Sequence, residues 1–194
     1  MNIISNSCVG AFLTRDYFKE KFNNPFVWSF IDTKSFFNLI KNYDKINWLN
    51  YELIKDKNWN FSIIIDNQIK VDYPHYQFKP NVKNIDFNTP LQRNVYSNKI
   101  WEYIVEKYEI RVKRMIEKNE KPIFILSTVY DFNDQHNYDK DYIKKIDDLD
   151  TNYDVLMVSN NFSFSKKKCY TFEYSKTNID LAKEIYEMNI IKNP

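Results

Sequence analysis

Short apolar runs alternate along this chain with longer stretches in which apolar residues recur every three or four positions. The strongest run is Ile123-Phe124-Ile125-Leu126, continued by Ser127-Thr128, and it reads as a strand buried on both faces. Asn2-Ile3-Ile4-Ser5 predicts a shorter strand, and Ser5-Asn6-Ser7 supplies capping chemistry for a helix from about Cys8 to Lys21. Asn23-Asn24-Pro25 breaks that helix ahead of an apolar patch of Phe26, Val27, Trp28 and Phe30. Asp32 or Thr33 then caps a second helix running to about Tyr43, with Phe36, Phe37, Leu39 and Ile40 on its core face.

Phe61–Asp66 and Ile69–Tyr73 flank a polar Asn67-Gln68 pair, the pattern of a β-hairpin. Pro80 and Pro90 punctuate an irregular stretch from Lys79 to Thr89. Ile100, Tyr103, Ile104, Tyr108, Val112 and Met115 repeat at helical spacing and predict one long helix over 94–119. After the strand at 123–128, the pattern predicts a helix at 139–149, strands at 154–159 and 169–173, and a last helix at 179–189. Strands alternating with helices imply right-handed crossovers and parallel pairing. The expected fold is therefore an α/β three-layer sandwich with a largely parallel central sheet and an added β-hairpin, in a single domain over 1–194.

Composition narrows the function classes. The 28 basic and 26 acidic residues nearly cancel, giving +2, so no dedicated nucleic-acid surface is expected. No apolar run is long enough to span a membrane, and no membrane partner is expected. Cys8 and Cys169 are far apart in sequence and no apolar signal segment follows Met1, which points to a reducing, cytoplasmic compartment. Gly10 is the only glycine, so neither a P-loop nor a dinucleotide-binding glycine fingerprint is present. Two histidines and two cysteines without close spacing make a poor zinc site, and no metal is expected.

In a parallel sheet the carboxyl ends of the strands share one edge, where open α/β folds hold ligands. Three polar clusters follow predicted strands and would meet there: Ser5-Asn6-Ser7-Cys8, Ser127-Thr128 leading to His136, and Ser159-Asn160-Asn161. His136 lies between acidic neighbours, with Asp131 and Asp134 close before it, and a carboxylate would orient the ring and raise its basicity for general-base work. A solvated loop histidine is the plainer reading. Cys8 at a helix start would be a dipole-stabilised thiolate, or simply a small packing residue. His75, between Tyr73-Pro74 and Tyr76, is either a site residue or a histidine satisfied within an aromatic cluster. Arg111 and Arg114 share a helix face and could bind phosphate, unless Glu106, Glu109 and Glu117 pair with them.

Ile3 to Gly10, Asn24-Pro25-Phe26, the Arg111 and Arg114 pair and the strand leading toward His136 resemble a group of exopolysaccharide-biosynthesis proteins described as papain-like from their fold. Over nearly its whole length the chain is also similar to the amino-terminal domain of giant-virus UDP-viosamine 4-N-acetyltransferases. That resemblance implies acetyl-CoA as cosubstrate and donor, a UDP-linked amino sugar as acceptor, a role in surface-glycan synthesis, a host-cytoplasmic location and a methyltransferase domain following in the longer protein. Direct transfer with His136 as base, oriented by Asp131 or Asp134, is the route expected for that reaction. Ser5, Asn6, Ser7, His75, Arg111, Arg114, Thr128 and Asn160 would then contact substrates. The papain-like label suggests instead a ping-pong route through Cys8 with His75 or His136, but the Gln and Cys-Trp context of papain-type peptidases is absent. A noncatalytic nucleotide-sugar or CoA binding module, or an interaction protein with an exposed patch at Phe26 and Trp28, are the readings outside the enzyme class.

Overall fold

The computed structural model describes residues 1–22, 24–55, 61–73, 90–128, 139–159, 164–171 and 177–191, with side chains at 90–97 outside that set. Two four-stranded sheets organise the chain. The first contains β1 (Asn2–Ser5), β6 (Pro122–Ser127), β7 (Asp154–Ser159) and β8 (Lys168–Thr171), in the order β1-β6-β7-β8 with every pairing parallel. The second contains β2 (Phe30–Ile31), β3 (Tyr51–Lys55), β4 (Phe61–Ile65) and β5 (Ile69–Asp72), in the order β2-β5-β4-β3 and all antiparallel.

Side chains alternate across the parallel sheet as the pleat demands. Ile3, Ile125, Leu156 and Val158 face one core, where they meet Val9 and Leu13 together with Leu181, Ala182 and Ile185. Those partners come from α1 (Val9–Phe12, continued by a wider π-type turn, Leu13–Tyr17) and α5 (Asn178–Glu187). Ile4, Phe124, Leu126, Val155 and Met157 face the opposite core. There they meet α2 (Thr33–Asn42), the long α3 (Pro90–Lys118), α4 (Lys140–Asp148) and the inner face of the antiparallel sheet. The α/β layered architecture expected from the sequence is present.

Several local expectations are corrected. The hairpin is not a lone addition, because β3 and β2 extend it into a full sheet that walls the second core. Its turn spans Asp66 to Gln68, one residue longer than the Asn67-Gln68 pair, and Asp66 and Asn67 stand at φ 50° and 57°, a region that short side chains bonding locally tolerate best. The first helix stops at Tyr17 instead of Lys21. Phe18 donates to the carbonyl of Leu13, five residues back, and Lys19 at φ 56° turns the chain so that Glu20 donates to Thr14. The long helix begins earlier than expected, at Pro90, where the missing proline N–H costs nothing.

Gly10 sits where α1 crosses β1. A Cβ there would lie 3.0 Å from Ser5 Cβ and 3.4 Å from Ile3 Cγ2. The single glycine therefore serves helix-to-strand approach, which fixes how the start of α1 meets the end of β1.

Candidate functional site

Because β1, β6, β7 and β8 run parallel, Ser5, Ser127, Ser159 and Thr171 end their strands at one edge of the sheet. Asn6, the first residue beyond β1, joins that strand to β6 through its side chain. Its Nδ2 donates to the Ser127 carbonyl at 3.0 Å and its Oδ1 accepts from the Ser127 N–H at 2.7 Å. Its backbone N–H donates to Ile125, and its carbonyl accepts from Ile31, tying in the second sheet. On the other side of Ser127, Thr128 N–H donates to Val158 at 2.8 Å, and Thr128 Oγ1 donates to Ser159 Oγ at 2.8 Å. The three polar clusters read from the sequence meet at this edge as far as they are described.

Their hydrogen bonds decide what each can still do. Asn6 is buried and spends its carboxamide on Ser127, so it is a clasp between strands and not a helix cap. The Thr128 N–H is committed to Val158 and cannot act as an oxyanion donor without breaking that bond. Ser5 Oγ accepts from Ser7 N–H at 3.3 Å, and Ser7 Oγ accepts from Val9 N–H at 3.5 Å, so Ser7 supplies the weak local cap. The named side chains at this edge are neutral and mostly small hydroxyls, suited to a carbonyl or amide more than to a pyrophosphate.

Cys8 immediately precedes α1 and is only 4% exposed. Burial pushes its thiol up to about 12. At neutral pH the thiol is therefore held protonated, and α1 offers one α-helical turn before the π-type turn begins, so its dipole is a weak counterweight. Cys169 is half-buried, and burial followed by the nearby Asp147 charge raises its thiol too; neither cysteine forms a disulfide.

Arg111 and Arg114 lie on one face of α3, and each donates to a backbone carbonyl. Arg111 is 9% exposed, donates to the Val27 carbonyl at 3.2 Å and stacks over Phe22; Arg114, more open, donates to the Phe22 carbonyl at 3.3 Å. Tyr73 Oη takes the Pro25 carbonyl at 2.8 Å. Three side chains thus hold three carbonyls of the segment between α1 and β2, in which Trp28 sits at φ 60° with its ring edge-on to Phe12. That conformation is costly for a bulky residue and persists because its surroundings fix it. The arginine pair is first a clamp on this segment, and only Arg114 retains an accessible charge. Phe26 and Val27 are buried and Trp28 and Phe30 are half-buried, so Phe26 belongs to the core and not to an exposed patch with Trp28.

His136, Asp131, Asp134, His75 and Asn160 lie outside the described residues. Among the described residues no group of three or more His, Cys, Asp or Glu side chains could hold a metal, and no helix is long and apolar enough to cross a membrane. Sequence reasoning missed Asp147, at the end of α4, whose carboxylate accepts from the N–H groups of Ser165, Lys166 and Lys167. Its only sequence signal was an acidic residue at the last turn of a helix, where cations are normally preferred. No protein-family model matches the chain, and no curated protein matches it either.

Proposed function

We propose that the chain transfers an acetyl group from acetyl-CoA to the 4-amino group of a UDP-linked deoxyamino sugar of the viosamine type, at the carboxyl edge of the parallel sheet. The observation that carries this reading is the meeting of Asn6 with Ser127 and of Thr128 with Ser159, which gathers the ends of β1, β6 and β7 where α/β enzymes hold substrates. His136 follows Thr128 in the same chain segment. The family resemblance supplies the donor and acceptor.

In the proposed step the sugar nitrogen attacks the thioester carbonyl carbon. The N–C bond forms, the C–S bond breaks, and His136 takes the proton that the nitrogen loses and passes it to the departing CoA sulfur. Asp131 or Asp134 orients the ring. The hydroxyls of Ser5 and Ser7 are the neutral donors for the acyl oxygen or the amide arm of CoA, the Thr128 hydroxyl being engaged with Ser159, and Arg114 is the member of the arginine pair left for a phosphate. Direct transfer is preferred to the ping-pong route because Cys8 is buried and its thiol is held protonated. The reading puts the protein in the cytoplasm, the host's if the chain is viral, with a methyltransferase domain as its expected neighbour.

Incubating the protein with acetyl-CoA and a panel of UDP-amino sugars tests the reading. It predicts CoA release together with an acetylated nucleotide sugar in the mass spectrum. Binding of either substrate without product would assign the chain as a binding module instead.

A further inference from the structure

We propose that the opposite, amino edge of the parallel sheet carries a second ligand site, for a small molecule that joins an aromatic body to a phosphate. A cleft of about 400 Å³ opens there, within the size range of small-ligand pockets. Ile123, Val155, Ile190 and Ile191 make its apolar lining, and Tyr153 adds an aromatic wall. The Tyr153 ring packs at a steep angle against Tyr43 and Phe124, which fixes it in place as one wall of the cleft.

The charge comes from Lys166, Lys167 and Lys168, all lining the same cleft. Asp147 arranges them: by accepting the N–H groups of Ser165, Lys166 and Lys167 at 2.9, 3.0 and 2.9 Å, it fixes the bend through which the chain enters β8. The backbone amides are thereby already satisfied, and the ammonium groups are what remains for an anion. Lys167 Nζ is held by the Leu149 carbonyl at the end of α4. Lys166 pairs with Asp148 at 2.8 Å with both partners exposed, a contact weak enough to yield to a ligand. Lys168 is exposed and makes no ion pair among the described residues, so it is the direct phosphate contact. One carboxylate, Asp154, also lines the cleft and disfavours a fully anionic ligand without an aromatic part.

Ile123, which lines this cleft, stands four residues before Ser127 on β6, about 13 Å along the strand, so the site is distinct from the acetyl-transfer edge and stands whether or not that activity is found. Titration of the full chain with adenosine 5′-monophosphate, followed by the amide resonances of Ile123, Val155 and Ile191, tests it. Adenosine and inorganic phosphate serve as the two separated halves. Saturable shifts are expected with the nucleotide, at lower concentration than with either half. Lys168→Glu should weaken nucleotide binding about tenfold or more, while leaving adenosine binding and the thermal midpoint unchanged. No saturable shift, equal binding by inorganic phosphate alone, or undiminished binding to a folded Lys168→Glu protein would each overturn the proposal.

Discussion

The Asn6 carboxamide closes a two-point bond on the backbone of Ser127, donating at 3.0 Å and accepting at 2.7 Å across 121 positions of sequence. It is a side chain standing in for a strand residue, extending the β1 and β6 ladder one step beyond its last backbone pair, Ser5 with Ile125. The exit of β6 at Thr128 is set by that contact.

Asn6→Ala should therefore cost about 1–3 kcal/mol, because it leaves a buried N–H and a buried carbonyl of Ser127 without that partner. Asn6→Asp should cost more, since a carboxylate oxygen would face the Ser127 carbonyl. Denaturant midpoints at unchanged slope would check both; wild-type stability in either variant would show that the clasp is dispensable.

Gly10→Ala sets two effects against each other. Helix propensity gains about 1 kcal/mol, while a Cβ 3.0 Å from Ser5 Cβ meets a buried strand residue that has little room to move, at a cost of about 1–3 kcal/mol. A net loss in thermal midpoint is expected, larger for Gly10→Val, whose added bulk also lies against Ile3.

Cys8 should resist thiol reagents in the folded protein. Burial holds its thiol near 12, so reaction with a disulfide probe at pH 7 should be slow for Cys8, faster for the half-buried Cys169, and equal for both after unfolding. Cys8→Ala should keep most acetyl transfer. Rapid labelling of Cys8, or an acetylated Cys8 in the intact mass, would revive the ping-pong route.

Asp147 gives the fold a pH dependence of known sign. Burial alone would raise its carboxyl, but the amides of Ser165, Lys167 and Lys166 and the Ser165 hydroxyl outweigh that and hold it below the usual carboxylate range. A depressed folded value means that the stabilisation is complete above the unfolded value of about 3.9 and fades as pH falls through the folded one. Asp147→Asn should lower the thermal midpoint at pH 7, and the gap from wild type should close below about pH 4. A gap independent of pH would assign the loss to packing.

Three strands of the parallel sheet were legible because Ile3-Ile4, Phe124–Leu126 and Val155–Val158 are buried and read as unbroken apolar runs, whereas β8 is half-exposed and has no such run. The flanking antiparallel sheet was half hidden. Tyr51–Lys55 is a half-exposed edge strand mixing charge with apolar residues, and Phe30–Ile31 is too short to show a period. At the candidate site, the sequence showed which polar groups follow strands, and their convergence is present at Asn6, Thr128 and Ser159. It could not show that Asn6 and the Thr128 amide are consumed in holding the strands, or that Arg111 spends its charge on a carbonyl 84 positions away. Those partners are set by tertiary approach, which no local pattern encodes.

The rate of CoA release with a UDP-4-amino sugar, measured side by side for wild type and His136→Asn, tests the central claim most directly. General-base catalysis by His136 predicts measurable wild-type turnover and a loss of about 10² to 10⁴-fold in the variant at unchanged thermal midpoint. No acetyl transfer by the wild type, or near wild-type turnover in a folded His136→Asn protein, would contradict it.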